Sequence, residues 1–371
     1  MTRLSCITIL LLPVFAYAQA GNQQEPLKPP ASQEAAKKRP PTTRHSREEV
    51  GTTKISRDDT GYIESAFIQS LVRFRFDAAF DDRNLDLANY FYSAGLSNQV
   101  ARVNYREYHF KVEYAFAQRF SGFIDVPIRT LAPQVSYQCQ PACTAQSQLQ
   151  TVVPAPSQGF TGLSDVRAGV KFGLWQRPKE QLTFQLSTSM PSGDTSHGLG
   201  IGHATIEPYL LYARSLNEKV GIFGEFGDTH PISNAQSFVF DPTRGAAEQN
   251  FAADVVNYGV GISYGLRPQA RVRITPVLEL VGWKVTGGLA SIIAAGPGGQ
   301  PVVYVVPPNT APAFGSNIVN LKGGWRTSWG EHNSVYAGVG FQLSHAGWYR
   351  EILRLEYRYA FDRLPWKRNQ P

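Results

Sequence analysis

Charges at every second position are the residues through which this sequence has a means to act. In the stretch 353–361, Arg354, Glu356 and Arg358 alternate with Leu353, Leu355, Tyr357, Tyr359 and Phe361. Side chains of a strand alternate between faces, so this spacing puts three charges on one face and an apolar, aromatic-ended row on the other. Applied along the chain, the rule gathers Arg73, Arg75, Lys111, Arg129, Arg167, Lys171, Arg271, Arg273, Lys322, Arg326, Arg354 and Arg358 on inward faces. The acids Asp77, Glu107, Glu113, Asp125, Asp165, Glu207, Glu225, Glu279 and Glu356 join them. Such a set makes and breaks no bonds. It steers solutes in a water-filled pore or interlocks as polar filling in a narrow one.

Bond chemistry has weaker claims. An esterase needs a serine within reach of a histidine, with a third group orienting that histidine. Ser344-His345 and Ser196-His197 are sequence neighbours, and neighbours on a strand point to opposite faces. Neither pair suits a catalytic dyad, and no enzyme is expected. Asp194, His197 and His203 carry metal-ligand types around the Gly-rich stretch Gly198–Gly202, but His residues beside such a loop are ordinarily solvated. No metal or cofactor is expected. The Gly-rich stretch lacks the strand-to-helix setting and the Lys-Ser/Thr of a phosphate loop.

The elements that must position the charges are strands. Alternating segments fall at about 64–76, 105–116, 120–130, 162–175, 181–190, 203–215, 219–229, 254–266, 270–283, 317–328, 334–345 and 350–361. That makes twelve, an even number, as a closed single-chain barrel requires when both termini lie on one side. Connections after even-numbered strands are short. Those after odd-numbered strands are mostly long, and the last hairpin near Ala346–Tyr349 is the exception. Sorting of loops by parity is the layout of an outer-membrane barrel, and a soluble sandwich has no reason for it. The apolar faces agree: Tyr108, Phe110, Val112, Tyr114 and Phe116 in one strand, Val319, Leu321 and Trp325 in another. Trp175, Trp283, Trp325, Trp329, Tyr357 and Tyr359 lie near strand ends, where interfacial girdle residues belong. Pro127 and Pro276 each remove a ladder donor and predict a bulge or a strand end.

The flanks complete the layout. Residues 1–20 read as a secretory signal peptide, with Arg3 ahead of an apolar run and Ala-x-Ala cleavage sites. Residues 21–60 are rich in Pro, Gln, Lys and Glu and read as a disordered periplasmic segment. Residues 61–361 form the barrel, and residues 362–371 a periplasmic tail. After the leader no apolar run reaches about 18 residues, which excludes membrane-spanning helices. The formal charge of +7 is concentrated in the flanks and does not argue for nucleic acid.

The segment Gly162-Leu163-Ser164-Asp165, then Met190-Pro191-Ser192-Gly193-Asp194, then Gly198–Gly202 resembles the outer-membrane barrel family named for the meta pathway of phenol degradation. Ser192 stands where that family usually has Thr. The resemblance implies a transport or channel role, with small aromatic solutes. The expected partners are outer-membrane lipid, a small-molecule solute and the barrel assembly machinery, which would engage the C-terminal strand ending at Phe361. The expected location is a bacterial outer membrane with both termini periplasmic. The alternative is a structural or adhesive barrel with an occluded lumen.

Cys139 and Cys143 enclose three residues in an exported chain and are expected to form a small disulfide loop. Intact-mass measurement of periplasmically folded protein should show the loss of two hydrogens. The bridge adds at most about 3 kcal/mol, so its reduction leaves the barrel folded.

Overall fold

Alternation closes these segments into a ring. The computed structural model describes residues 58–82, 87, 100–135, 159–232, 236–241, 245–250, 252–266, 270–295, 301–304, 310–345 and 347–361. Cys139, Cys143, residues 1–57 and residues 362–371 lie outside them. The strands are β1 (Ser70–Asp82), β2 (Val100–Ala117), β3 (Phe120–Val135), β4 (Phe160–Leu163), β5 (Val166–Arg177), β6 (Glu180–Met190), β7 (Thr205–Ser215) and β8 (Val220–Pro231). There follow a loop hairpin, β9 (Gln236–Asp241) and β10 (Gly245–Asn250), and then β11 (Val255–Tyr264) and β12 (Val272–Val285). A small loop sheet comprises β13 (Leu289–Ala295), β14 (Pro301–Tyr304) and β15 (Thr310–Pro312). The chain ends with β16 (Asn317–Trp329), β17 (Asn333–Gln342) and β18 (Glu351–Phe361).

Sequential neighbours pair antiparallel around the whole ring, and β1 pairs with β18 to close it. With β4 and β5 as two halves of one interrupted strand, this is the closed twelve-stranded barrel the alternation predicts. Closure leaves no unpaired edge, the condition for strands to cross a bilayer. Tight turns join β2 to β3, β5 to β6 and β16 to β17, while the hairpin and the small sheet occupy two of the long connections.

Pro127 sits where one ladder gives way. Ile124 and Asp125 pair with β5, whereas Ile128 pairs with β4. Pro127 lies at this changeover, and its carbonyl accepts from Ser164 N in the strand break at 2.9 Å. The β11 ladder on β12 ends at Ser263↔Val277, one residue short of Pro276. On the other side Pro276 lies inside β12, opposite Trp325 in an unbroken β12–β16 register, so the bulge or strand end expected there is absent.

The two faces separate by chemistry. Phe110, Phe172, Leu321 and Trp325 are exposed on the outside, while Lys111, Lys171, Lys322 and Arg326 are buried inside. Trp283 departs from the girdle expectation. It turns inward and packs on Trp348, with ring centroids 5.4 Å apart. The inward-folded loop residues Trp348 and Tyr349 supply an apolar environment there, together with Val285 and Ile318. Inside the barrel, the Tyr336 ring lies against Gly324 and Gly338, where a Cβ would come within 2.6 Å and 2.4 Å of its hydroxyl.

The first strand also differs from expectation. It begins at Ser70 rather than near 64. Asp58 and Thr60, placed by composition in a disordered segment, are buried. Residues 58–69 form no strand and enter the lumen.

Substituting Leu321→Arg should impair assembly, because it turns a charge toward lipid at a cost of about 2–4 kcal/mol. Lys322→Leu, one residue along and only 4% exposed, should assemble. Heat-modifiable migration of membrane fractions reads both.

Candidate functional site: the plugged lumen

The site is built by residues 58–69 threaded among the inward charges. Three backbone amides converge on one carboxylate. Gly61 N and Tyr62 N donate to Glu279 at 2.9 and 2.6 Å, and Ile63 N donates at 3.3 Å. Backbone that bends at 61–63 and lacks strand partners needs such acceptors, since a buried donor left without one costs about 1–3 kcal/mol. The carbonyls are served too. Arg354 Nη1 donates to Gly61 O at 3.1 Å, Arg326 donates to Thr60 O, and Lys171 donates to Ser65 O at 3.0 Å. Thr183 donates to Ala66 O at 2.5 Å.

Three plug acids meet barrel cations. Asp58 accepts from Arg358 at 2.8 Å, and Asp59 lies 3.3 Å from Arg273. Glu64 takes Lys111 at 2.7 Å, Arg73 at 3.3 Å and Lys171 at 3.4 Å. Burial pushes the Glu64 carboxyl up, but Arg73, Lys111 and Lys171 pull it well below the usual carboxylate range. A depressed folded pKa means that this contribution is complete above that range. It is lost only as pH falls through the depressed value.

Apolar contacts complete the seating. Ile63 and Ala66 join Leu211, Phe223, Val277, Val281 and Tyr336. Tyr62 meets Tyr336 edge-on at 6.0 Å. It also lies under Arg354 at 4.1 Å and Lys322 at 4.3 Å. Gly61 has no room for a side chain, because a Cβ would stand 2.4 Å from the Tyr336 ring.

Of the residues marked by sequence, the structure gathers most of them around this segment. Arg73, Lys111, Arg273, Glu279, Lys322, Arg326, Arg354 and Arg358 touch it directly, as described. Glu113 reaches it through Lys171 at 3.0 Å. Glu356 supports Arg326 at 2.7 Å and Arg358 at 2.6 Å. Arg75 turns to His109 at 2.7 Å and Asp77 at 3.3 Å. Arg73, Arg75, Arg354 and Arg358 do line the β1–β18 seam, with Arg73 opposite Arg358. Arg354 among them is doubly bonded to Asp77 at 2.8 Å, so acids neutralise part of this row.

Other marked residues stand apart, among them the pair Arg129 and Glu107 at 2.7 Å. Arg167 pairs with Glu207 at 2.5 Å. Arg271 is exposed in the turn before β12. Asp165 accepts from Gly193 N at 3.0 Å and Ile201 N at 2.7 Å. It ties the strand break to the Gly-rich stretch, and so the motif at this corner organises backbone. Among the described residues, the grouping with metal-ligand geometry is Asp228, His230 and Asp254, whose ligand atoms lie within 4.8 Å. Asp194, His197 and His203 do not form one.

The sequence reading missed Asp58, Asp59, Gly61, Tyr62 and Glu64. The available signal was Asp58-Asp59-Thr60-Gly61-Tyr62, a charged and glycine-bearing stretch immediately ahead of the first strand.

No family model matches the chain, and no curated protein matches it. Among solved structures it is similar to the COG4313 outer membrane channel from Pseudomonas putida F1, with 11% identity, 82% of this chain and 99% of that chain covered, and a TM-score of 0.48. The Pseudomonas putida toluene transporter TodX follows at 8% identity, covering 83% and 95%, TM-score 0.41. KdgM porin matches at 9% identity, covering 79% and 99%, TM-score 0.40.

Gly61→Val should expel the segment without touching the ring of strands. Amide exchange at Gly61–Ile63 is expected to rise by at least tenfold, while exchange in β16 and β17 stays as in the parent. An unchanged rate at 61–63 would show that the Tyr336 contact does not hold the plug.

Proposed function

We propose that this chain is an outer-membrane channel for small solutes whose lumen is closed at rest by its own N-terminal segment. One observation carries the reading. The material that blocks the lumen precedes β1 and takes part in no strand pairing among the described residues. It can leave without breaking a ladder bond of the barrel. Filling from strand-borne side chains alone has no such exit.

The seating is also imperfect. Arg73 Nε, Arg326 Nε and Glu356 Oε2 are buried without hydrogen-bond partners. The apolar outer faces and the parity of the loops support placement in the outer membrane with both termini periplasmic. Residues 1–20 then serve export, and the strand ending at Phe361 serves recognition by the assembly machinery.

Anionic solutes suit the many inward arginines and lysines. Aromatic solutes follow only from the resemblance to the meta-pathway barrel family. The second reading is a structural or adhesive barrel with a permanently closed lumen. The ion pairs packed through the interior, such as Arg326–Glu356 and Arg354–Asp77, favour it.

Planar-bilayer recording separates the two. Full-length protein should show rare, small openings, and Gly61→Val should conduct steadily. Absence of conductance in folded Gly61→Val protein would leave the structural barrel.

A further inference from the structure

We infer that the three plug acids occupy two cationic sockets that bind the carboxylates of a multivalent anionic solute, so that such a solute competes with the plug. This inference rests on the channel reading and specifies its substrate class.

The first socket is formed by Lys111, Lys171 and Arg73 on three different strands, all within 3.4 Å of the Glu64 carboxylate. All three are at least nine-tenths buried. The wall gives them incomplete compensation. Glu113 is shared between Lys171 at 3.0 Å and Lys111 at 3.8 Å. Arg73 meets Asp125 and Glu356 only at 3.9 Å each. The second socket is formed by Arg358 and Arg273, holding Asp58 at 2.8 Å and Asp59 at 3.3 Å. Arg326 stands beside Arg358, sharing Glu356 with it and donating to Thr60 O.

Withdrawing the plug therefore takes the closest counter-charge from Lys111, Arg73 and Arg273, while Lys171 keeps Glu113 and Arg358 keeps Glu356. Buried charges left unpaired are strongly unfavourable. An entering anion that supplies carboxylates to the same donors removes that penalty, whereas a neutral solute does not. Charge-assisted bonds to arginine and lysine are the strong class of polar contact. A ligand that binds only the open state shifts the population toward it in proportion to its differential affinity. Two sockets filled by acids six residues apart in the chain favour a solute bearing several carboxylates over a monovalent one.

The test uses full-length protein folded in detergent, at neutral pH and equal ionic strength in chloride, acetate or citrate. Amide exchange of residues 61–63 is read by mass spectrometry, with β16 as the internal reference. Exchange should accelerate at least threefold in citrate relative to acetate. Glu64→Gln, which weakens the first socket's hold on the plug, should already exchange faster than the parent in acetate. Equal rates in acetate and citrate would overturn the inference, even if Gly61→Val conducts. A citrate effect in protein that never conducts would keep the sockets and remove the channel.

Discussion

The Glu279 carboxylate, receiving the amides of Gly61, Tyr62 and Ile63, is the interaction on which the interior of this barrel depends. A segment inside a lumen, bent at 61–63, has no ladder partner for its N–H groups, and an unserved buried donor is expensive. Glu279 serves three at once. Glu279 lies opposite Lys322 in the β12–β16 ladder. The carboxylate that holds the plug is therefore carried on the wall and stays with the wall when the segment moves.

From that anchor the rest of the seating follows outward. Carbonyls of the same segment fall to Arg354, Arg326 and Lys171, and its acids fall to a second ring of cations. Nearly all of these bonds join a wall side chain to the backbone or a carboxylate of the segment. The barrel and its plug are thus two separable energetic units. The barrel rests on twelve mutually paired strands, and the plug on side-chain contacts alone. No ladder bond of the barrel is lost when the segment leaves, which is the physical basis of the opening step proposed above.

The Gly-Asp corner shows how a motif can carry structure. Asp165 looks like a lumen charge by parity, and Arg167 two residues on does reach an acid, Glu207. Asp165 instead receives two loop amides, beside Gly193 and Gly200, where an added Cβ would collide with the facing backbone at 2.8 Å and with the Asp165 carboxylate at 2.6 Å, respectively. Its position at the break between β4 and β5 frees it from strand alternation, and so parity misleads there.

Sequence alone determined the ring: the number of strands, their antiparallel order, which face is apolar, and which charges turn inward, apart from Asp165 at the strand break and Arg271 in the turn before β12. Period-two patterning is a local property, enforced wherever one face is apolar and the other polar. It is therefore legible at Lys322 and Leu321 without any knowledge of neighbours. Tertiary structure alone decided what the inward charges do. Ala66, Ile68, Val72 and Phe74 share one parity, with Ser70 between them, so the apolar alternation begins in the plug and does not mark where the ladder starts. Trp283 likewise carries no sign that the loop bearing Trp348 folds in to meet it. Whether Arg358 and Lys111 face water or an acid depends on residues 300 and 47 positions away. Contacts at such separations are made only when the closed ring brings the segment inside it.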